Sequence, residues 1–387
     1  MSSRLYLDVH VLQVLPPSCV NRDDVGMPKM CFYGGVERAR VSSQAWKRAI
    51  RLWFREHGTE TAIRTRRLVE LLSEELRSRG ISDDGESEQQ TLLLPEPQTV
   101  DSDDKANKLA KEAMDTLFSN KKNKKNGKNN DKEKDENDED KKIPMAFISD
   151  GQIKAIAEVV VAALSNQSKL PKDKKIEKKL LEAAKSAPTA DILLFGRMYA
   201  ANQKLNVDAA AQVAHVISTH EASRQYDYFT AVEESNKEDE SGAGHIDSKC
   251  FSSSVVYRYA TVNLGEKSEL VLFNKQQAAE IAEKFLEAFV CAMPTGSINS
   301  YANNTLPFYV LAILRDDMPI NFAPAFEKPI KANDDGGYCE LSKEAFLGYK
   351  ESVHKLYGSP VESWELGNGL NLQDMLEKVR SGIEGRL

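Results

Sequence analysis

The chain reads as an α+β protein with a ferredoxin-like or RRM-like core that carries insertions. Three observations predict this. A β-prone run opens the chain at Leu5–Leu12, helical periodicity dominates from residue 43 to residue 186, and β-prone runs return at Tyr226–Val232 and Phe251–Tyr259. Strands interrupted by helices, with a large helical insertion between the first and later strands, fit that core. Such folds host many functions, so a role has to come from particular residues.

Composition sets the outer bounds. At 387 residues with 41% hydrophobic content, the chain is too long for one small domain and can bury a substantial core. Its net charge is −7, which bears on solubility more than on any one site. The five cysteines, Cys19, Cys31, Cys250, Cys291 and Cys339, are odd in number and scattered without a CxxC pair. Neither a disulfide framework nor a zinc ribbon is supported, and no metal or cofactor is expected. No apolar run approaches a membrane span, and Met1–Pro17 lacks the order of a secretory signal. A soluble, cytoplasmic protein with no membrane partner is expected.

Taken in order, Leu5–Leu12 mixes alternation with an apolar run, which suits a strand half or fully buried in a sheet. Pro16 and Pro17 end it. Asn21, Arg22, Asp23 and Asp24 follow in a loop; the paired carboxylates could hold a divalent metal, but a charge-paired turn is favoured. Gly34 and Gly35 lead into the strand-like Val36–Val41, and Ser42 or Ser43 suits the N-cap of the next helix. Thr59–Arg79 predicts a helix with Leu68, Leu71, Leu72 and Leu76 on one face, ended by Gly80. Lys105–Phe118 predicts a short one. Residues 121–142 hold nine lysines, seven acids and no apolar side chain, so burial cannot offset ordering entropy and a disordered insertion is expected. Helices are predicted at Ser149–Leu164 and Lys172–Ser186, then an apolar strand from Thr189 to Met198. Asp208–His220 reads as an alanine-rich helix; His215 and His220 would lie on different faces, against a two-histidine metal site. The runs Tyr226–Val232 and Phe251–Tyr259, around an acidic connection, predict a projecting hairpin or arm. Gln276–Ala292 predicts an amphipathic helix, Pro307–Leu314 and Asn321–Glu327 closing strands, and the tail two helices, around Phe346, Tyr349 and Leu356 and then Leu372, Met375 and Val379.

The stretch that points to chemistry is Pro16–Arg55. Trp46, Ile50 and Trp53 or Phe54 recur at helical spacing and give a face to bury, while Lys47, Arg48, Arg51 and Arg55 fall largely on the other side. Ser42, Ser43 and Gln44 bring hydroxyls and an amide to the helix start, where free N–H groups favour a phosphate oxygen. Between Asn21 and Arg67 there are eleven Lys or Arg against five Asp or Glu. A basic island on an acidic chain is the footprint of a polyanion site; charge alone fits a solvated helix face equally well.

VNRDD, the YGG at Tyr33–Gly35, RARVSSQAWKRAIR, the GRM at Gly196–Met198 and YFTAV at Tyr228–Val232, in that order, resemble the backbone (CasC-type) crRNA-binding subunit of the type I-E CRISPR Cascade surveillance complex. The likeness spans most of the chain. It implies an RRM-like palm (1–54, 188–221 and 251–387), a helical fingers subdomain (55–187) and a thumb (222–250). It implies a non-catalytic subunit whose copies line up head to tail on one crRNA. Arg22, Ser42, Gln44, Lys47, Arg48 and Arg51 would grip the RNA backbone, while Met198 and Phe229 would help displace every sixth nucleotide. Without the likeness, Met198 reads as core and Phe229 as a buried strand residue. Lys29, with the patch near Arg64–Arg67, would contact target DNA. The implied partners are neighbouring copies, the large and small subunits, the 5′-handle-binding subunit and the crRNA-processing endoribonuclease. The alternative is a metal-dependent ribonuclease of a related CRISPR effector using Asp23 or Asp24.

Overall fold

The computed structural model describes residues 4–81, 104–118, 145–164, 170–171, 173–199, 202–232, 243–367 and 369–387. The charged insertion expected at 121–142 and most of the connection after Val232 lie outside them. In chain order the elements are β1 (Tyr6–Ser18), β2 (Met30–Tyr33), β3 (Val36–Val41), α1 (Ser43–Glu56), β4 (Ile63–Thr65), α2 (Leu68–Ser78), α3 (Lys105–Phe118) and β5 (Ala146–Ile148). Then come α4 (Asp150–Ala163), α5 (Lys174–Ala183), α6 (Ala190–Phe195), β6 (Ala211–Val213), β7 (Val216–Ser218), β8 (Gln225–Val232) and β9 (Ala243–Asn263). The chain closes with α7 (Glu269–Phe273), α8 (Lys275–Cys291), α9 (Ile298–Tyr301), β10 (Tyr309–Arg315), α10 (Cys339–Tyr357), β11 (Glu362–Glu365) and α11 (Leu372–Glu384). No helix among the described residues is long and apolar enough to cross a membrane.

The chain forms two compact units, Met1–Thr59 with Ala210–Leu387, and Glu60–Ala209. The first is built on an antiparallel sheet ordered β11-β10-β1-β9-β7-β3-β2, with β6 and β8 also paired to β9. Reduced to β10, β1, β9 and β7 with β6, this is the strand order of an RRM-like fold, and α1 and α8 are its two crossover helices. The fold class read from the sequence holds. β9 is the spine: β1 runs along one edge, from Tyr6 opposite Asn263 to Ser18 opposite Ser252, and β6, β7 and β8 pair in succession on the other. Beyond Ser252 only β8 accompanies β9, so the two continue as a projecting arm.

β1 is buried from Leu7 through Val11 to Gln13 because both faces of the sheet are covered. On one face α10 seals Leu12, Tyr257, Tyr259, Tyr309, Leu311 and Ile313 beneath Phe346 and Val353. His10 lies in this layer, its ring centroid 4.3 Å from that of Phe322. On the other face Trp46 of α1 packs with Leu15, Val41, Val216 and Val256. Arg258 is fully buried there. Its guanidinium lies 3.8 Å from the Trp46 ring centroid and 4.7 Å from that of Phe289. It donates to Gln13 Oε1 and to the Phe289 carbonyl, so one cation ties α1, α8, β1 and β9. Burial pulls it down to about 9, which leaves it charged at neutral pH.

In the second unit α2, α3, α4 and α5 enclose Leu72, Leu76, Leu109, Met114, Ile156, Val160 and Leu180, beside the β4–β5 ladder. Pro188 to Ala209 cluster with these helices.

Four expectations change. The apolar run after Pro188 is the short helix α6, because a fully buried run carries no periodicity that separates helix from strand. Asp208–His220 is not a helix but β6 and β7; the open edge of β9 recruits its β-branched residues and outweighs alanine propensity. Asn321–Glu327 forms a 3-10 turn at Ala323–Phe326, where Asn321 Oδ1 accepts from Ala323 N at 2.9 Å and Phe322 and Phe326 are buried against α10. The helix predicted from Thr59 starts only at Leu68, since Ile63–Thr65 pairs with Ala146–Ile148. In the tail, Phe346 is core, whereas Leu356 is exposed.

Replacing Arg258 by Ala is expected to destabilise the first unit by about 3 kcal/mol, through a cavity beside Trp46 and two orphaned acceptors. Met, which refills the volume, should cost less; urea unfolding followed by tryptophan fluorescence checks the order.

Candidate nucleic-acid interface

α1 starts where the sequence suggested. Ser42 is extended, and its hydroxyl oxygen accepts from Ala45 N at 3.3 Å, capping the first turn. Trp46, Ala49, Ile50 and Phe54 are buried. Gln44, Lys47, Arg48, Arg51 and Arg55 therefore share the outward side, within an arc of about 100° at helical spacing. Gln44, Arg48 and Arg55 are exposed, and Lys47 and Arg51 half-buried. Burial lowers the Lys47 ammonium below its ordinary value. Ser42 itself is nearly covered, and with its oxygen bonded to Ala45 N, its hydroxyl proton is the group left for an anion.

The NRDD loop is tied to this helix. Asn21 Oδ1 accepts from Ser42 N at 2.8 Å, and Asn21 O accepts from Lys29 N at 3.0 Å. Asp23 Oδ1 accepts from Val25 N at 3.1 Å and Met27 N at 2.8 Å, so the carboxylate organises a turn, as the sequence reading favoured. Arg22 projects from this turn and is exposed, Lys29 is half-buried at its far end, and Asp24 is exposed.

The basic island does not form one surface. Arg38 is fully buried, donating to the carbonyls of Tyr33 at 3.1 Å, Ser218 at 2.9 Å and Phe326 at 2.9 Å. It fastens the β2–β3 hairpin to the core and is closed to a ligand. Arg40 lies 3.2 Å from His215 Nδ1, while His220 is buried with Nε2 accepting from Val255 N at 3.0 Å. Arg64, Arg66 and Arg67 belong to the second unit, where Arg67 pairs with Glu70.

On the arm, Phe229 is half-buried, with Lys249 Nζ 5.1 Å from its ring centroid. Tyr226 and Tyr228, three and one positions before it on β8, are exposed. In the second unit Met198 is 83% exposed, against its reading as core. The residues around it explain why. Gly196 has φ 75°, and a Cβ there would lie 2.9 Å from Val207 O. Arg197 turns inward to Leu205 O at 3.0 Å, Gln152 Oε1 at 2.9 Å and Ala184 O at 3.1 Å, and Tyr199 is buried with its hydroxyl 2.9 Å from Phe147 O. With both neighbours anchored inside, the methionine is left outside.

The face opposite the crossover helices, on which an RRM stacks bases, is covered by α10, and Tyr257 and Tyr259 are buried. The candidate contact residues of the first unit, Arg22, Gln44, Lys47, Arg48, Arg51 and Phe229, lie elsewhere, on α1, the NRDD turn and the arm. A family model described as CT1975-like protein matches residues 7–381. The chain belongs to this family of Cas proteins. It is similar to a chain of a "CRISPR RNA-guided surveillance complex, pre-nicking", at 30% identity and a TM-score of 0.74, over 99% of this chain and 100% of that one. It is also similar to a chain of a "CRISPR RNA-guided surveillance complex", at 26% identity and a TM-score of 0.63, over 98% and 99%. No curated protein matches. The likeness to a Cascade backbone-type subunit, read from NRDD, SSQ and GRM, is borne out.

Sequence reasoning missed three things in this CT1975-like protein. Asn21 is the link between loop and helix, and nothing local marks it. Tyr226 and Tyr228 were within reach, since they alternate with Asp227 and Phe229 along a β-prone run. Arg38 was counted among the surface cations because charge counts carry no burial. Asn21→Ala is expected to cost about 1 kcal/mol and to speed amide exchange in the first turn of α1; hydrogen exchange read by mass spectrometry checks it.

Proposed function

We propose that this protein is the non-catalytic, crRNA-binding backbone subunit of a type I-E Cascade complex, several copies of which assemble head to tail along one guide. In this reading Arg22, Ser42, Gln44, Lys47, Arg48 and Arg51 hold the sugar–phosphate chain. Backbone contacts suit a protein that must accept any spacer, because phosphates carry no base identity. The arm acts as a thumb: Phe229, with Met198, displaces every sixth nucleotide, and the bases between stay stacked for pairing with target DNA as an R-loop forms. Lys29 meets the DNA. A head-to-tail contact between identical subunits builds an open helical filament, to which the large and small subunits, the 5′-handle-binding subunit and the crRNA-processing endoribonuclease attach.

The observation that carries the reading is the stripe from Gln44 to Arg55, set outward by Trp46 and tied through Asn21 to Arg22. The engagement of Asp23 by two backbone N–H groups supports a turn there over a cleavage centre. Co-expression with a CRISPR RNA and the partner subunits, followed by footprint sequencing of retained RNA, is expected to give protection with a six-nucleotide period. Lys47→Ala combined with Arg48→Ala should abolish it. RNA retained without periodicity, or no RNA retained by the unsubstituted complex, would overturn the proposal.

A further inference from the structure

The second unit carries an apolar groove that the contacts proposed above do not use. It runs between α4 and α5, holds about 660 Å³, and is lined by Ala155, Val159, Ala162, Ala163 and Ile176 among others. The sequence of α4 explains it. Ile153, Ile156, Ala157 and Val160 recur at helical spacing and are buried in the core of the unit. Ala155, Val159, Ala162 and Ala163 recur in the same way about 120° further round, where Ala162 is exposed and the other three are half-buried. From Ala155 to Ala163 the one charged residue of α4 is Glu158. A surface helix ordinarily turns polar residues outward, and one that is apolar on a second side is built to be covered there as well.

The charges along the groove say what covers it. Glu158 lies 3.5 Å from Arg79 and Glu182 lies 3.7 Å from Lys178, so each acid of the lining already faces a cation. Lys175 and Lys179, on the α5 side, are exposed and have no ion-pair partner among the described residues. Lys174 and Lys178 are exposed beside them. The groove therefore combines an apolar lining with a positive flank. Alanines in the lining let a third helix come close, since interaxial distance follows side-chain size. A nucleic-acid duplex would meet the lysines and leave the apolar lining unused, whereas a helix with an apolar seam and acids along one flank uses both.

We propose that the α4–α5 groove is a docking site for a partner protein, which lays an amphipathic helix along it with the apolar seam on Val159 and Ala162 and acidic side chains towards Lys175 and Lys179. The inference goes beyond the crRNA role proposed above and does not depend on it. It assigns a protein contact to a surface of the second unit that no RNA contact claims.

The probes are two synthetic helical peptides of about five turns with the same leucine seam, one flanked by glutamates and the other by lysines, and a DNA duplex. Each is titrated against the full chain and followed by fluorescence anisotropy. The glutamate peptide is expected to bind and the lysine peptide to fail. Ala162→Trp, at an exposed position, fills the groove without changing charge; it should weaken the glutamate peptide about tenfold and leave duplex binding unchanged. Lys175→Gln combined with Lys179→Gln should weaken that peptide about fivefold and flatten its salt dependence. Binding of neither peptide, equal binding of both, or binding of the glutamate peptide undiminished by Ala162→Trp overturns the proposal. Loss of duplex binding in the double lysine variant, with the glutamate peptide unaffected, makes the lysine face a DNA surface and overturns it too. Thermal unfolding of Ala162→Trp completes the test: an unchanged midpoint supports a groove open to a partner, and a lowered one means that the chain fills the groove itself, which overturns the proposal.

Discussion

The buried guanidinium of Arg258 is the interaction on which the first unit turns. A charge inside a core is tolerated only when its surroundings replace water, and here the Trp46 and Phe289 rings and two oxygen acceptors do so. The arrangement fixes Trp46 and with it the rotation of α1 about its axis. That rotation decides which side chains of α1 face outward, and so places Gln44, Lys47, Arg48, Arg51 and Arg55 at the surface. A cation inside thereby orients the cations outside.

A second constraint is the covering of both faces of the sheet. An RRM leaves one face open, and its aromatics serve as a base platform. In this chain α10 and the turn at Ala323–Phe326 occupy that face, and His10, Tyr257 and Tyr259 become part of an aromatic core. Surface chemistry is displaced to the edge of the sheet, where β9 outlasts its neighbours and runs on with β8 as an arm. The NRDD turn and the α9 turn sit at the root of that arm, and Asn21 bonds the former to the start of α1. One end of the sheet thus gathers the helix cap, the loop cations and the arm aromatics.

In the second unit the same logic works by anchoring neighbours. Met198 is exposed because Arg197 and Tyr199 are held inside by carbonyl oxygens, with Gly196 permitting the close approach of Val207. An apolar side chain fixed outward on a rigid turn loses little further freedom on contact with a ligand.

Much of this was legible in the sequence. Long amphipathic runs such as Ser43–Glu56 and Lys275–Cys291 declare themselves through helical spacing, and Tyr226–Val232 through its β-prone content, because those signals are local. The order NRDD, SSQ, GRM and YFTAV named the family, and cap chemistry at Ser42 gave the start of α1. What the tertiary structure alone decided is where short or fully buried segments go. Ala211–Ser218 became strands because β9 had an open edge, Ala190–Phe195 became a helix because a buried run has no readable period, and Arg38 became a strut because the carbonyls of Tyr33, Ser218 and Phe326, from three separate segments, converge on it in space. Burial, pairing partners and the meeting of distant loops are properties of the assembled chain; a sequence states which groups are available, and only packing determines which of them face water.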